Sequence, residues 1–479
     1  MYLGLDLGTS GLKAVLIDED QHLLGEATAP LTVQRPQSGW SEQNPADWLA
    51  AAETVMTAVA AQHDLSAVRG IGLSGHMHGA TLLDASDEVL RPCMLWNDTR
   101  SHAEAAAFDG DPQWRAITGN IVFPGFTAPK VDWVRVHEPD IFAKTRKVLL
   151  PKDYLRLWLT GDAVSEMSDA AGTSWLETGK RDWSDTLLAA SGLTREHMPR
   201  LVEGSEPSGT LRAALSARWG LPEGVIIAGG AGDNAAAAVG MGVVKPGQAF
   251  VSLGTSGVLF ASSEAYQPDA PSAVHTFCHA VPDTWHQMGV ILACTDALNW
   301  YAALVGSDAG SLTADLAALQ APGETLFLPY LGGERTPHND ASARGAFLGL
   351  SHATDKTAGT RAVLEGVSFA FRDCYDALRS TGTRIDSLVA VGGGSRSDYW
   401  LSLLATVLDM PIDVPAAGDF GGAFGSARLA QMAVSGAGAE RATPPATART
   451  IAPELALTDA FTTRHAQYRA AYSALKEAL

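Results

Sequence analysis

Apolar residues fall at alternate positions in Leu3-Gly4-Leu5-Asp6-Leu7 and resume from Leu12 to Ile17 after Gly8-Thr9-Ser10-Gly11. This pattern predicts two strands joined by a tight turn, with Asp6 delivered near the end of the first. A third apolar stretch, Ala27 to Val33, stops before Pro36. Asn44-Pro45 then reads as an N-cap followed by proline at the first helical position, and Trp48, Val55, Met56 and Val59 fall on one helical stripe. Val68 to Leu73 returns as a strand and opens into Ser74-Gly75-His76-Met77-His78-Gly79, a polar loop at a strand's carboxyl end, where parallel sheets place ligands. Residues 101–200 read as helical with irregular turns, and Ser168 to Thr173 as a polar loop without chemistry of its own. A strand within Leu221 to Gly229 leads through Gly230-Ala231-Gly232-Asp233-Asn234 into an alanine-rich helix.

From about residue 243 the order starts again. Gly8-Thr9-Ser10-Gly11 is repeated as Gly254-Thr255-Ser256-Gly257 between apolar flanks, and the helix, strand and glycine turn of Trp48 to Gly75 recur in Thr360 to Gly394. Asp398 to Leu408 continues as a helix, and Asp419-Phe420-Gly421-Gly422-Ala423 opens another. Each repeated turn crowds backbone N–H groups and hydroxyls into a nest suited to phosphate. Two such turns half a chain apart predict a duplicated α/β fold on the actin-like plan, with domains at 1–243 and 244–479 facing each other across one nucleotide. The first copy carries Asp6 where the second carries Ser252, an asymmetry that suits one turn also handling Mg²⁺. Thr9, Ser10, Lys13, Thr255 and Ser256, with Gly8 and Gly254, are therefore the candidate phosphate contacts. Gly392, Gly393, Gly394 and Ser395 form a turn that a flat ring and its ribose can approach closely.

The formal charge is 34 − 53 = −19 with no basic block, which argues against nucleic acid and anionic membrane surfaces as partners. Four cysteines without CxxC or CxxH spacing read as reduced, buried thiols. No apolar run reaches the roughly 18 residues of a membrane span, and no signal peptide precedes the first strand, so a cytoplasmic protein is expected.

Two loops carry candidate acceptor chemistry. His76, Met77 and His78, followed by Trp96, Asn97 and Asp98, offer a small apolar face and directional hydrogen bonds, which suits an uncharged linear polyol. Arg100 is the cation of these loops and has Asp98 beside it as a partner, so an acidic acceptor is disfavoured. Solvated loop histidines and a core-packing Trp96 remain the plain alternatives. Asp233 either caps its helix or acts as a base held ionised by the helix dipole. Gly230-x-Gly232-x-x-Ala235 matches a dinucleotide fingerprint, but it opens no βαβ domain and would set Asp233 against a pyrophosphate, so that reading is rejected. No GxxxxGK[ST] is present.

These motifs together resemble the FGGY carbohydrate kinase family through nearly the whole chain. The resemblance rests on the opening Gly4-Leu5-Asp6-Leu7-Gly8-Thr9-Ser10-Gly11, Gly75-His76-Met77-His78-Gly79, Leu95-Trp96-Asn97-Asp98, Phe123 to Lys130, Leu150 to Leu155, Gly232-Asp233-Asn234, Gly333-Glu334-Arg335-Thr336-Pro337 and the Gly392 triplet. It implies two actin-like domains of the ribonuclease H type, with sugar held mainly by the first and ATP against the second. It also implies Asp233 as catalytic base, Asp6 as the acid near Mg²⁺ and the phosphates, Met77 and His78 as sugar contacts, and the Gly392 turn as the adenosine site. His76, Trp96, Asn97, Asp98 and Asn234 complete the expected acceptor set. Gly230-Ala231-Gly232 departs mildly from the three glycines usual before the base, and Glu334 and Arg335 read as interdomain structure. The expected reaction is phosphoryl transfer from MgATP to D-xylulose. Ribulose, another pentulose, glycerol or gluconate are alternative acceptors, and an actin-like or chaperone-like ATPase is the alternative class. A homodimer is the one protein partner allowed for.

Overall fold

The computed structural model describes residues 1–416 and 420–478, so Asp419 lies outside the described residues. The opening hairpin forms as its alternation dictates. β1 (Tyr2–Leu7) and β2 (Gly11–Ile17) pair antiparallel with Leu7 opposite Leu12, and β3 (Leu23–Pro30) pairs with β2. The third strand begins before the apolar stretch expected at 27–33, because the antiparallel ladder to β2 runs on through exposed Leu23 and Leu24 whatever their side chains meet. Helix α1 (Pro45–Gln62) starts where Asn44 accepts the Ala46 amide. Its stripe of Trp48, Val55, Met56 and Val59 shares one core with Leu3, Leu5 and Leu7 of β1 and Ile71 and Leu73 of β4 (Gly70–Gly75). Residues 101–200 are less uniformly helical than their sequence suggests. Short strands Lys147–Leu149 and Val164–Glu166 flank α2 (Pro151–Thr160). β5 (Pro207–Thr210), β6 (Ile226–Ala228) and β7 (Ala231–Gly232) then lead into α3 (Asp233–Met241).

The second half supplies β8 (Gly247–Leu253), β9 (Gly257–Ser263), β10 (His275–Cys278), β11 (Trp285–Ile291), α4 (Thr295–Leu304) and α5 (Ala309–Ala314). These are followed by α6 (Lys356–Ser380), β12 (Ile385–Val391), α7 (Asp398–Leu408), β13 (Ile412–Pro415), α8 (Gly422–Ser435), β14 (Thr447–Ile451) and α9 (Thr458–Ala478). The first sheet runs β5-β6-β4-β1-β2-β3, with β7 on β4; the second runs β10-β11-β9-β8-β12-β13-β14. Read outward from the hairpins, β3-β2-β1-β4-β6-β5 matches β11-β9-β8-β12-β13-β14 strand for strand. The parallel pairs β1/β4 and β4/β6 answer to β8/β12 and β12/β13, and the other pairs in both sets are antiparallel. The repeated turns thus sit at equivalent places in two actin-like halves. All four cysteines are buried free thiols, and among the described residues no helix is long and apolar enough to cross a membrane.

One helix of the second half lies on the first sheet. Side chains alternate along β1, so that Leu3, Leu5 and Leu7 turn to α1 while Tyr2, Gly4 and Asp6 turn away. β4 sets Gly70, Gly72 and Ser74 beside these three in register. Helix α8 crosses this second face so closely that a Cβ on Gly4 would stand 1.8 Å from the Ala423 carbonyl oxygen, and one on Gly72 1.8 Å from that of Ser426. Tyr2, Val15 and Ile17 close a small core with Ala423, Phe424, Ala427 and Ala430. The same helix interlocks with α3, where a Cβ on Gly425 would stand 1.8 Å from the Ala236 carbonyl oxygen. Gly72→Ala should therefore destabilise the protein by about 1–3 kcal/mol or more, since neither opposing backbone can yield. Gly332→Ala, which meets nothing within 4 Å, is the control. A denaturation midpoint for Gly72→Ala equal to that of Gly332→Ala would contradict this packing.

Candidate active site

The carboxyl ends of β1, β4 and β7 lie side by side. Asp6 is in register with Ser74, and Ser74 with Ala231, just ahead of Asp233. Ser74 Oγ donates to Asp6 Oδ1 at 2.6 Å, and a Cβ on Gly422, at the start of α8, would stand 2.9 Å from the Asp6 carboxylate. Asp233 opens α3, and its Oδ1 accepts the Asn234 amide at 2.7 Å and Asn234 Nδ2 at 2.9 Å. Those bonds favour the carboxylate. Burial opposes it, as does the Asp6 charge, and together they raise the Asp233 pKa to about 6. To the expectation of a carboxylate at a helix start the structure adds burial, which raises its pKa above the usual carboxylate range. The group is still ionised at neutral pH but takes up a proton readily.

The acceptor loop is fastened from several sides. Met77 packs on Gly232, where a Cβ would stand 2.9 Å from Met77 Cγ. His78 has φ 70°, an uncommon conformation for a residue with a side chain. Its carbonyl is held by Thr127 Oγ1 at 3.1 Å and Lys130 Nζ at 3.0 Å. Burial and the Lys130 charge push the His78 imidazole down to about 3, and burial lowers Lys130 itself to about 7. The neutral ring stacks on Phe126 at 4.5 Å, and its Nδ1 lies 2.7 Å from the Gly172 carbonyl oxygen. Nδ1–H is therefore the donor in this tautomer, and Nε2 is left to accept. Trp96, 48% exposed, donates from Nε1 to Thr9 Oγ1 at 3.1 Å and so ties the second candidate acceptor loop to the first candidate phosphate turn. Asn97 Oδ1 is buried with no hydrogen-bond partner among the described residues.

Two expected acceptor residues are placed differently. Asp98 is fully buried and accepts from the Ser41 amide at 2.7 Å and from Arg100 at 2.9 and 2.6 Å. Its carboxylate braces the loop from behind, and the foreseen pairing with Arg100 is what takes it there. His76 is buried edge-on to Trp48, with ring centroids 5.7 Å apart, and burial lowers it to about 3.

Both candidate phosphate turns have carbonyls tied back into the protein. Thr9 O accepts Gln43 Nε2 at 2.8 Å and Ser10 O the Leu31 amide at 2.9 Å; Gly254 O accepts the Thr295 amide and Thr255 O the Cys294 amide, both at 2.9 Å. Amides and hydroxyls are what such turns can offer to phosphate. Lys13 stands opposite Asp6 on β2 and bridges to Glu26 at 2.8 Å. Gly392, at φ 88°, lets the turn approach the Leu253 carbonyl oxygen, which a Cβ would meet at 2.7 Å. Beyond it lies a cavity of 690 Å³ bounded by Gly393 and Gly394, by Asn299 and Thr313 of the helices α4 and α5, and by Tyr399. A second cavity of 590 Å³ lies on the side of Gly392 and Ser395, towards Met241 and Phe420. No group of three or more His, Cys, Asp or Glu among the described residues could cage a metal. Asp6 beside two phosphate turns suits an ion that keeps waters and phosphate oxygens as ligands, as Mg²⁺ does.

Sequence reading missed several neighbours. Ser74 opens the quoted loop, and its register with Asp6 is the signal that could have found it. Asn299, Thr313 and Tyr399 carry no motif. Ser168 to Thr173, expected as a structural polar loop, is a buried helical turn whose Ser168 Oγ accepts the Gly232 amide at 3.0 Å. Arg335 does cross between the halves, its guanidinium 4.6 Å from the Phe123 ring centroid.

Residues 1–240 match the N-terminal domain of the FGGY family of carbohydrate kinases and residues 249–434 its C-terminal domain. The chain is 50% identical over 440 residues to a xylulose kinase of Escherichia coli (strain K12), covering 91% of this chain and 90% of that protein. It is 63% identical, with a TM-score of 0.99 and full coverage of both chains, to a crystal structure described as a xyloylose kinase from Brucella ovis. A xylulose kinase structure from Rhodospirillum rubrum, 28% identical, superposes with a TM-score of 0.93 over 99% of each chain. With both domain models matched in order over their turns, strands and cleft, the chain belongs to the FGGY family of carbohydrate kinases.

Proposed function

We propose that the protein transfers the γ-phosphoryl group of MgATP to the terminal hydroxyl of D-xylulose, with Asp233 as general base. The observation that carries this reading is the Asp233 carboxyl itself: partly open to the cleft, next to Met77 and Asp6, with its pKa raised to about 6. Relatives named xylulose kinase at up to 50% identity support the acceptor. The neutral His78 ring, the uncharged Asn97 amide and an Arg100 already paired with Asp98 suit an uncharged acceptor.

In this mechanism the acceptor lies over Met77 with a hydroxyl against His78 Nε2. Ionised Asp233 takes the proton of the terminal hydroxyl as its oxygen forms a bond to the γ-phosphorus and the bond to the β-phosphate oxygen breaks, so ADP leaves. The two turns hold the phosphates through amides and the Thr9 and Thr255 hydroxyls, and the adenosine lies along the Gly392 to Ser395 turn. Thr9 accepts from Trp96, which keeps its own proton available for a phosphate oxygen. A Mg²⁺ ion bound near Asp6 would supply charge neutralisation on the phosphates. Closing the two halves excludes water, which otherwise competes for the phosphoryl group.

Asp233→Asn should keep sugar and nucleotide binding by calorimetry while lowering turnover by roughly 10²- to 10⁴-fold, the range for a lost general base. Near-normal turnover would exclude the role. Because the base works only when ionised, kcat/KM should fall as pH drops through the Asp233 pKa of about 6. A flat profile from pH 5 to 8 would contradict it. Thr9→Val and Thr255→Val should each weaken MgATP more than sugar. Across xylulose, ribulose, fructose, glycerol and gluconate, D-xylulose should give the highest kcat/KM in a coupled ADP-release assay. A better acceptor in that panel would replace D-xylulose while leaving the kinase reading in place, and sugar-independent ADP release at full rate would remove both.

A further inference from the structure

Behind Asp233 lies a group of charged side chains that no step above uses. Lys152 Nζ, on α2, stands 2.9 Å from Asp153 Oδ1, 3.2 Å from Glu166 Oε1 and 3.0 Å from Asp169 Oδ2, and all four side chains are fully buried. Buried ions at this density are costly unless their hydrogen bonds are directed somewhere specific. Here their neighbours Arg156 and Ser168 carry hydrogen bonds on to the strand that precedes Asp233. Arg156, one turn along α2, donates to the Ala228 and Gly229 carbonyl oxygens at 2.5 Å each. Glu166 Oε2 accepts both the Ser168 amide at 2.7 Å and the Ser168 hydroxyl at 2.8 Å. With its proton committed to Glu166, Ser168 Oγ can only accept at its remaining bond, and it takes the Gly232 N–H at 3.0 Å. Gly232 precedes Asp233 directly. A few residues on, the Gly172 carbonyl of the same segment takes the His78 Nδ1–H. One buried stretch, 166–173, therefore touches the strand before Asp233 near one end and the His78 loop near the other.

We propose that Ser168 is a positioning residue for phosphoryl transfer: its hydroxyl, oriented by Glu166 and the Lys152 ammonium, fixes the Gly232 amide and thereby where the Asp233 carboxylate stands relative to the acceptor held by His78. This rests on Asp233 being the base. A displacement of about 1 Å in such a contact costs of order 10²-fold in rate.

The test is a double-mutant cycle of Ser168→Ala with Asp233→Asn, following kcat, KM for MgATP and sugar, and melting temperature. Ser168→Ala alone should lower kcat roughly 10- to 100-fold with KM for MgATP changed less than about twofold. In the Asp233→Asn background it should add almost nothing, since there is no base left to misplace. Ser168→Cys preserves volume but not the strong hydrogen bonds and should be slow as well; it stands in if Ser168→Ala does not fold. Wild-type kcat in either Ser168 variant overturns the proposal, as does a full independent loss on top of Asp233→Asn, which would mark Ser168 as a general structural residue. Near-normal turnover in Asp233→Asn alone would instead remove the base reading and leave the two failures distinguishable.

Discussion

Everything in the first half is arranged around the contact of α8 with bare backbone on β1 and β4. Gly4 and Gly72 lie opposite each other, each with a Cβ position only 1.8 Å from a carbonyl oxygen of α8. Any side chain at either place would lift the helix off the sheet. The same period-2 alternation that turns Gly4 and Gly72 to this face places Asp6 and Ser74 next along it. A helix seated this low consequently begins its first turn against the Asp6 carboxylate, while its flank receives α3 through Gly425 and Ala236. Asp233, at the start of α3, is brought to Asp6 by that packing rather than by any attraction between them.

The juxtaposition is electrostatically unfavourable, and the proposed mechanism draws on it. Two carboxylates near each other in a desolvated cleft raise the pKa of one of them, here Asp233. A base for a hydroxyl works best with a pKa near the working pH, where it is ionised yet basic enough to hold the proton it takes. The Asn234 bonds limit the rise, and the buried Lys152 and Arg156 on α2 spend their hydrogen bonds on the Asp153–Glu166–Asp169 group and on the 228–229 backbone instead of on Asp233. Neutralising Asp233 directly with either cation would have lowered its pKa and weakened it in the proposed role of base.

Much of this plan was legible in the residues. The duplicated Gly-Thr-Ser-Gly turns predict paired hairpins, and both sheets carry them at equivalent positions. Helix α1 follows from Asn44-Pro45 and its apolar stripe, and α7 spans the predicted residues Asp398–Leu408. What stayed hidden depends on distant partners. Glycines inside β1 and β4 announce a close approach, but nothing local says that the visitor is α8, far along the chain in the second half. Asp98 sits in a loop of ligand-binding composition, yet the buried Arg100 and the Ser41 amide claim both its oxygens. Ser168 reads as one polar residue among several until the fold places it under Gly232. The helix start at Asp233 was readable in the sequence, whereas the desolvation that raises its pKa depends on the folded surroundings.

The central claim is that one sugar hydroxyl, the Asp233 carboxylate and a γ-phosphate held by both turns meet in this cleft. A crystal structure of the complex with D-xylulose and a nonhydrolysable MgATP analogue tests it most directly. The account predicts the terminal hydroxyl within hydrogen-bond distance of Asp233 and facing the γ-phosphorus, with the phosphate oxygens on the amides of Gly8–Gly11 and Gly254–Gly257. A terminal hydroxyl turned away from Asp233, or phosphates gripped by one turn alone, would contradict it.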